Sequence, residues 1–232
     1  MNWLRTQLTR TPLTARVVPF VLFVVLTFAQ DLLGPAGRYW LYLAKTLLGL
    51  AMTIAVWPAV QEMRWKFSWE ALAVGVGIFA LWAGLDDFLV LMGVKNSYPK
   101  LDFGTGASWN PNTQFGRGAS LAWFFIMVRI AGSTLIVPML EEVFFRSFLY
   151  RYISKVEFLT MPLGAFALRP FLLASAIFAL EHREWLAGLL CGFAYQGLVC
   201  WKKRLGDAMT AHAITNFLLG VWVVWRGEWR FW

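Results

Sequence analysis

The sequence predicts an all-α protein, a polytopic membrane helix bundle of about seven transmembrane helices. Hydrophobic residues make up 59% of the 232 residues, charged residues only 15%, and Trp occurs 14 times. The mean hydropathy is +0.58. A soluble domain of this length would not carry so many apolar and aromatic residues, whereas a helix that faces lipid needs no polar side. These observations favour a membrane protein.

Seven apolar runs each approach the roughly 20 residues that cross the hydrocarbon core of a bilayer. The breaks between them include the Gly/Pro turn DLLGPAGR, the short basic stretch QEMRWKFSW and one long polar loop over residues 95–118 without helical period. No repeat or soluble domain interrupts the pattern, so residues 1–232 are predicted to form a single membrane-embedded domain. The predicted spans are residues 14–33, 39–60, 69–92, 119–141, 164–182, 184–201 and 206–225.

Basic residues predict the orientation of the chain. The net charge is +8, and seven crossings would place four basic clusters on one side, which puts the N-terminus in the cytoplasm. No small-residue cleavage site follows the first run, so it is predicted to be an uncleaved span. The charge indicates cytoplasmic loops and anionic lipid rather than nucleic acid, because no basic run is interleaved with aromatics in a polar segment. The clusters are Arg5 with Arg10 and Arg16, Arg64 with Lys66, Arg151 with Lys155, and Lys202 with Lys203 and Arg204.

The stretch VPMLEEVFFRSFLYRY, residues 137–152, holds three ionisable side chains among apolar ones. On an α-helix Glu142 and Arg146 are four residues apart and share a face, whereas Glu141 is rotated by about 100° from Glu142. Two adjacent carboxylates in a low dielectric do not both ionise cheaply, so Arg146 would keep one charged while the other suits a general base. The alternative is a structural salt bridge between helices. A helix from Ala119 through Tyr152 would also be about 50 Å long unless Pro138 kinks it.

The two histidines of the chain also lie in apolar segments. His182 closes FALEH one turn after Phe178, and His212 in HAITN lies one turn before Asn216. His and Asn donate hydrogen bonds suited to a developing oxyanion, and a carboxylate that converges with a His activates water. Ionisable groups inside membrane helices indicate a functional site.

Other polar or small residues favour structural roles. Arg129 is predicted to pair with Asp86 and Asp87 across helices. Gly188 and Gly192 form a small-xxx-small pair, which indicates close helix packing.

EEVFFR, FALEH and HAITN, in this order on separate apolar segments, resemble the EExxxR, FxxxH and HxxxN motifs of the CAAX prenyl protease and bacteriocin-processing family, the type II CAAX intramembrane endopeptidases. The resemblance covers about residues 119–220, which would form a catalytic core. The sequence around EEVFFR looks most like the bacterial branch of the family found with exosortase-type sorting systems.

The resemblance implies a role for each motif residue. Glu141 and His182 would activate water, and His212 with Asn216 would stabilise the oxyanion. Glu142 and Arg146 would support the site, and the side chain of Phe178 would line its pocket.

The resemblance also implies partners, a compartment and a mechanism. The substrate would be a hydrophobic or lipidated protein or peptide in a bacterial inner membrane, with a link to an exosortase-type system. No cofactor is expected to be required. Glu141, His182 and His212 would form the metal set if the enzyme used zinc, although the H-E-x-x-H helix of zincins is absent.

Three alternatives stay open beside a glutamate-dependent protease. The first is a non-enzymatic immunity or scaffold protein of the same fold. The second is a transporter or proton relay, which predicts inverted repeats that the sequence lacks. The third is a zinc-dependent membrane protease, which chelators would inhibit.

Overall fold

The computed structural model describes residues 2–93, 101 and 108–232, with the side chain of Asp86 left out. Within these ranges the chain forms helices and no strand. The prediction of an all-α protein is confirmed. The α-helices are α1 (Asn2–Leu8), α2 (Pro12–Phe28), α3 (Gly34–Val56), α4 (Trp69–Leu91), α5 (Pro111–Phe115), α6 (Ser120–Ala131), α7 (Val137–Glu142), α8 (Tyr150–Ser154), α9 (Leu168–Ala179), α10 (Trp185–Lys202) and α11 (Gly206–Arg226).

Three helical stretches are long and apolar enough to cross a membrane: Pro12–Val56, Ser120–Ser154 and Gly206–Arg226. Shorter apolar helices cover Trp69–Leu85 and Leu168–Ala179. Each predicted apolar run falls on helix, but the count of seven crossings and the cytoplasmic N-terminus stay predictions.

The DLLGPAGR segment is more helical than the sequence suggested. A 3-10 turn covers Ala29–Leu33, and α3 begins at Gly34, five residues earlier than the predicted span. Gly34 has a φ of 73°, a conformation open to glycine because it has no Cβ. α2 and α3 then pack against each other, as a turn between two spans requires.

The segment Ser120–Ser154 is helical throughout, so Pro138 does not end it. Two π-helical segments interrupt the α-geometry, Gly132–Ile136 before α7 and Val143–Leu149 after it. Pro138 has no N–H to donate and its ring displaces the preceding turn, which accounts for the first widened turn. The prediction that Glu142 and Arg146 share a helix face assumed 3.6 residues per turn through EEVFFR. The π-helical geometry over Val143–Leu149 shows that this assumption was wrong.

The chain divides into two compact units. The first unit contains residues 1–63, 105–144 and 216–232, and in it α3 packs against α1, α2 and α6. Its aromatic core consists of Tyr39, Tyr42, Trp109 and Phe125. The prediction of one domain over residues 1–232 stays a prediction.

Arg129 belongs to this aromatic core of the first unit. Its guanidinium carbon lies 4.7 Å from the ring centre of Trp109, 5.1 Å from that of Tyr42 and 5.3 Å from that of Trp232. Stacking on aromatic faces stabilises a guanidinium that is partly removed from water. The predicted pairing with Asp86 lies outside the described side chains, and the pairing with Asp87 stays a prediction.

The predicted polar loop over residues 95–118 lies partly outside the described residues, at 94–100 and 102–107. Its described end contains a helix, α5, where no helix was predicted. Asn110 caps α5 by accepting a hydrogen bond from the backbone N–H of Asn112 at 3.0 Å, and Pro111 occupies the first turn. Capping residues of this kind start a helix without any apolar period.

The second unit contains residues 64–104 and 145–215. Here α10 packs against α9 and α4. A Cβ on Gly192 would lie 3.0 Å from Cα and Cβ of Ser175, and one on Gly188 would lie 3.2 Å from Cα of Ala179. The predicted packing role of this glycine pair is confirmed, because both glycines let α10 approach α9 closely.

We expect Gly192→Leu to destabilise the protein by about 1–3 kcal/mol, because the added side chain overpacks the contact with Ser175. Gly197→Leu is the matched control in the same helix, since a Cβ there has nothing within 4 Å. Thermal unfolding in detergent measures both variants. Equal midpoints for the two variants would contradict the packing argument.

Candidate active site

The two adjacent glutamates end α7, between the two π-helical segments. Glu142 has no solvent exposure and Glu141 is partly buried. Both belong to the first unit. π-Helical turns occur mostly as short interruptions of α-helices at functional sites, so the local geometry agrees with a site at this position.

A lysine that the sequence analysis did not select lies in the same unit as Glu141. Lys45 Nζ donates to Thr27 Oγ1 at 2.8 Å and lies 4.6 Å from the ring centre of Tyr42. The charges of Lys45 and Glu141 interact. Lys45 is therefore an ionisable neighbour of Glu141 within the first unit.

Asn216 is the third motif residue of the first unit. Its Nδ2 donates to the backbone carbonyl of Ser133 at 2.8 Å, within the π-helical segment Gly132–Ile136. A side-chain amide carries two N–H hydrogens, and this bond uses one of them. The contact ties the orientation of the amide to the helical segment that leads to the glutamates.

His182 lies in the turn that follows α9. Its Nδ1 is 2.9 Å from the backbone oxygen of Phe178. A carbonyl oxygen only accepts, so Nδ1 carries the hydrogen and donates it. In a neutral imidazole the other nitrogen, Nε2, then has the lone pair. The backbone of FALEH thus selects the tautomer in which Nε2 carries the lone pair and can accept a hydrogen bond.

Phe178 is fully buried and lies among three polar motif residues. The guanidinium carbon of Arg146 is 4.3 Å from its ring centre. Its ring centre is 4.7 Å from that of His182 and 6.2 Å from that of His212. The second unit therefore brings Arg146, Phe178 and both histidines into one cluster.

His212 is buried, with 3% of its surface exposed, and stacks on Tyr195 at 5.0 Å between ring centres and 26° between planes. The Tyr195 hydroxyl donates to Thr215 Oγ1 at 2.8 Å, and Thr215 Oγ1 shares its one hydrogen between the backbone carbonyls of Gly75 at 2.9 Å and Ala211 at 3.1 Å. This buried relay fixes the tyrosine ring, and the ring in turn supports the imidazole.

The predicted site residues divide between the units. The second unit holds Arg146, Phe178, His182 and His212, and the first holds Glu141, Glu142 and Asn216. Four residues near the motif residues were missed from sequence: Lys45, Tyr195, Thr215 and Trp82, whose ring centre lies 5.2 Å from that of His182. Lys45 carried a usable signal, an ionisable group in a predicted span. Trp82, Tyr195 and Thr215 carried none that distinguishes them from neighbouring membrane residues.

Within residues 2–93, 101 and 108–232, no group of three or more His, Cys, Asp or Glu side chains is arranged to hold a metal ion. The zinc set named from sequence, Glu141 with His182 and His212, stays a prediction.

Part of the chain matches the model of a known protein family. Residues 120–218 match the family model described as type II CAAX prenyl endopeptidase Rce1-like. The matched segment covers less than half of the chain and contains all seven motif residues named above. The chain has no match among curated proteins and none among solved structures.

Proposed function

We propose that this chain, whose residues 120–218 match the model of the Rce1-like type II CAAX prenyl endopeptidases, belongs to that family and is a glutamate-dependent intramembrane endopeptidase. It hydrolyses a peptide bond in a hydrophobic or lipidated protein. The observation that carries this proposal is the cluster in which both histidines of the chain lie against Phe178, His212 buried and His182 half-buried. A purely structural bundle has no need to bring both into one apolar cluster.

In the proposed reaction Glu141 and His182 bind a water molecule. Nε2 of His182 accepts a hydrogen bond from it, and the Glu141 carboxylate takes its proton as the water oxygen bonds to the substrate carbonyl carbon. The carbonyl electron pair moves to oxygen, which becomes the oxyanion. When the C–N bond breaks, the protonated Glu141 returns the proton to the leaving amine.

His212 and Asn216 would donate hydrogen bonds to the oxyanion. The stacking of His212 on Tyr195 and the bond from Asn216 to Ser133 pre-orient both donors. Donors held in place before reaction stabilise developing charge without reorganisation, and loss of one such donor costs about 10²–10³ in kcat. Exclusion of bulk water by the membrane helices strengthens these bonds.

Glu142 and Arg146 would support the site rather than touch the reacting atoms. Arg146 is buried and lies over the face of Phe178, which holds its guanidinium in a fixed plane. A fixed positive charge favours the ionised form of nearby carboxylates. The assignment of Glu141 rather than Glu142 as the base follows the family resemblance and is part of the proposal.

The apolar helices and the family match make this an integral membrane protein. We place it in the plasma membrane of a bacterium, with the lipid bilayer and a lipidated or hydrophobic substrate as partners. The link to an exosortase-type sorting system and the corresponding branch of the family belong to the same proposal. The mechanism requires no cofactor, and zinc is the alternative that the test below separates.

The first test uses the full chain purified in detergent. Prenylated peptides ending in a CAAX sequence are incubated beside their unprenylated versions, and mass spectrometry identifies the cleaved bond. We expect cleavage by wild type and a loss of about 10²–10⁴-fold in kcat/KM for Glu141→Gln, the range for a general base. Glu142→Gln should lose less. Glu228→Gln, outside the matched segment, is the control.

A chelator is added to parallel samples. Unchanged cleavage supports the glutamate-dependent mechanism, and inhibition that zinc reverses supports the metal alternative. If wild type cleaves no peptide of either kind and Glu141→Gln changes nothing, the protease proposal fails and a non-enzymatic role gains support.

A further inference from the structure

The α4 helix lies outside the segment that matches the family, yet it belongs to the second unit with both histidines. Its buried positions are Ala71, Gly75 and Ile78, and Trp82 follows them one turn later. The spacings of four, three and four residues place all of them on one helix face. Two residues of this face are connected to the two histidines by different kinds of contact.

Trp82 contacts His182 directly. Their ring centres are 5.2 Å apart with an interplanar angle of 71°, the edge-to-face arrangement. Phe178 contacts the same imidazole at 4.7 Å, and Nδ1 is held by the Phe178 backbone oxygen. The outer torsion of a histidine side chain is broad and roughly two-fold. Two aromatic neighbours and one hydrogen bond restrict this torsion of His182 to the orientation in which Nδ1 bonds to the Phe178 carbonyl and Nε2 keeps its lone pair.

Gly75 acts through a relay. Its carbonyl accepts from Thr215 Oγ1 at 2.9 Å, Thr215 accepts from the Tyr195 hydroxyl at 2.8 Å, and Tyr195 stacks on His212. A Cβ at Gly75 would lie 2.7 Å from the Ala211 carbonyl oxygen and 2.8 Å from Cβ of Ile214. Only glycine permits this close approach of α4 to the turn of α11 that carries His212.

We propose that the face of α4 formed by Gly75 and Trp82 positions both histidines, so that the functional site includes a helix outside the matched segment. This inference rests on the proposed function for its catalytic meaning. Trp82 acts through His182, and Gly75 acts through Thr215 and Tyr195 on His212. Neither residue touches the reacting atoms, so both are positioning residues.

The alternative is that Gly75 and Trp82 merely pack α4 against its neighbours. The two explanations differ in what a mild substitution changes. Loss of packing lowers stability and affects kcat only through the fraction of folded protein. Loss of positioning lowers kcat in protein that is still folded, and it changes the tautomer of a histidine. Both effects can be measured separately.

The experiment compares Trp82→Leu, Trp82→Phe and Tyr195→Phe with wild type. Phe keeps an aromatic edge at position 82, and Tyr195→Phe removes only the hydroxyl of the relay. Gly75→Ala is compared with Gly77→Ala, a matched control two residues along, where a Cβ meets nothing within 4 Å. The chain has two histidines, so ¹⁵N-histidine NMR in detergent resolves both, assigned with His182→Gln and His212→Gln.

We expect a single tautomer with hydrogen on Nδ1 for His182 in wild type and Trp82→Phe, and a mixture of tautomers in Trp82→Leu. We expect kcat to fall about 10- to 100-fold in Trp82→Leu and Gly75→Ala, as for misplaced catalytic groups, with KM little changed. Tyr195→Phe should lower kcat and alter the His212 signal. Gly77→Ala should match wild type in every readout.

The inference is overturned if folded Trp82→Leu and Tyr195→Phe keep wild-type histidine spectra and kcat, or if Trp82→Phe loses as much as Trp82→Leu. If Trp82→Leu does not fold, the decision rests on the three milder variants, Trp82→Phe, Tyr195→Phe and Gly75→Ala. A wild-type protein that cleaves no peptide removes the proposed function, but the NMR comparison still decides whether α4 positions the histidines.

Discussion

We expect His182→Gln to lower kcat/KM by about 10²–10⁴-fold, the range for a side chain that takes part in acid–base catalysis. Glutamine is close to histidine in size and still offers a donor that can reach the Phe178 carbonyl. It has no nitrogen lone pair to replace Nε2. The substitution therefore removes the nitrogen acceptor that holds the water for Glu141, while it retains most of the packing between Phe178 and Trp82.

Initial rates on the prenylated peptide, with thermal unfolding of the same samples, measure this effect. His212→Gln should lose a smaller factor, because it removes one oxyanion donor and the stack on Tyr195. The loss of kcat/KM in the double variant of His182→Gln and His212→Gln should not exceed the product of the two single losses, since residues of one site act together. Wild-type rates in folded His182→Gln would exclude this histidine from the reaction.

Gly206→Ala is expected to cause the largest loss of stability in the second unit. Gly206 begins α11, and a Cβ there would collide with the backbone oxygen of Arg64 and lie 2.7 Å from the backbone nitrogen of Lys66. Backbone atoms do not move aside as a flexible side chain does. We expect a loss of about 3 kcal/mol, which corresponds to a fall of about 6–12 °C in Tm for a chain of this size.

The segment that contains Arg64 and Lys66 is bound to α11 by side chains, so it cannot move away from an added Cβ without breaking these contacts. Thr210 Oγ1 donates to the Lys66 carbonyl at 2.9 Å, and Ser68 Oγ donates to Asp207 Oδ1 at 2.5 Å. Because His212 follows on this helix, Gly206→Ala should also reduce cleavage. Gly77→Ala is the control and should leave Tm unchanged or slightly raised, because Ala favours helix over Gly. A Tm of Gly206→Ala equal to that of the control would contradict the close approach.

Apolar runs predicted where helices lie, because lipid-facing segments must satisfy their backbone internally and so become helices. The motif residues were also selected from sequence, since few polar groups occur in such surroundings. Helix ends were less predictable: α3 begins at Gly34 and α5 occurs where a loop was predicted. These ends depend on caps and turns rather than on hydropathy.

The neighbours of the motif residues could not be predicted. Trp82 and Tyr195 are aromatic residues in a chain in which aromatics make up 17%, so nothing in their local sequence separates them from lipid-facing ones. Their roles arise from contacts between α4, α9, α10 and α11. Lys45 is the exception, because a charge in LYLAKTLLGL is costly unless it has a partner.

The widened turns around the glutamates also affect which changes of chain length the protein tolerates. A turn closed by hydrogen bonds to the fifth residue holds one residue more than an α-helical turn. Deleting one residue from Gly132–Ile136 would let that segment close as ordinary α-helix, and Glu141 and Glu142 would keep their angular positions, because the widened turn already absorbs one residue. We therefore expect the protein to tolerate a one-residue deletion in this segment better than one in the regular α-helical turns of α6, where every residue after the deletion would rotate by about 100°.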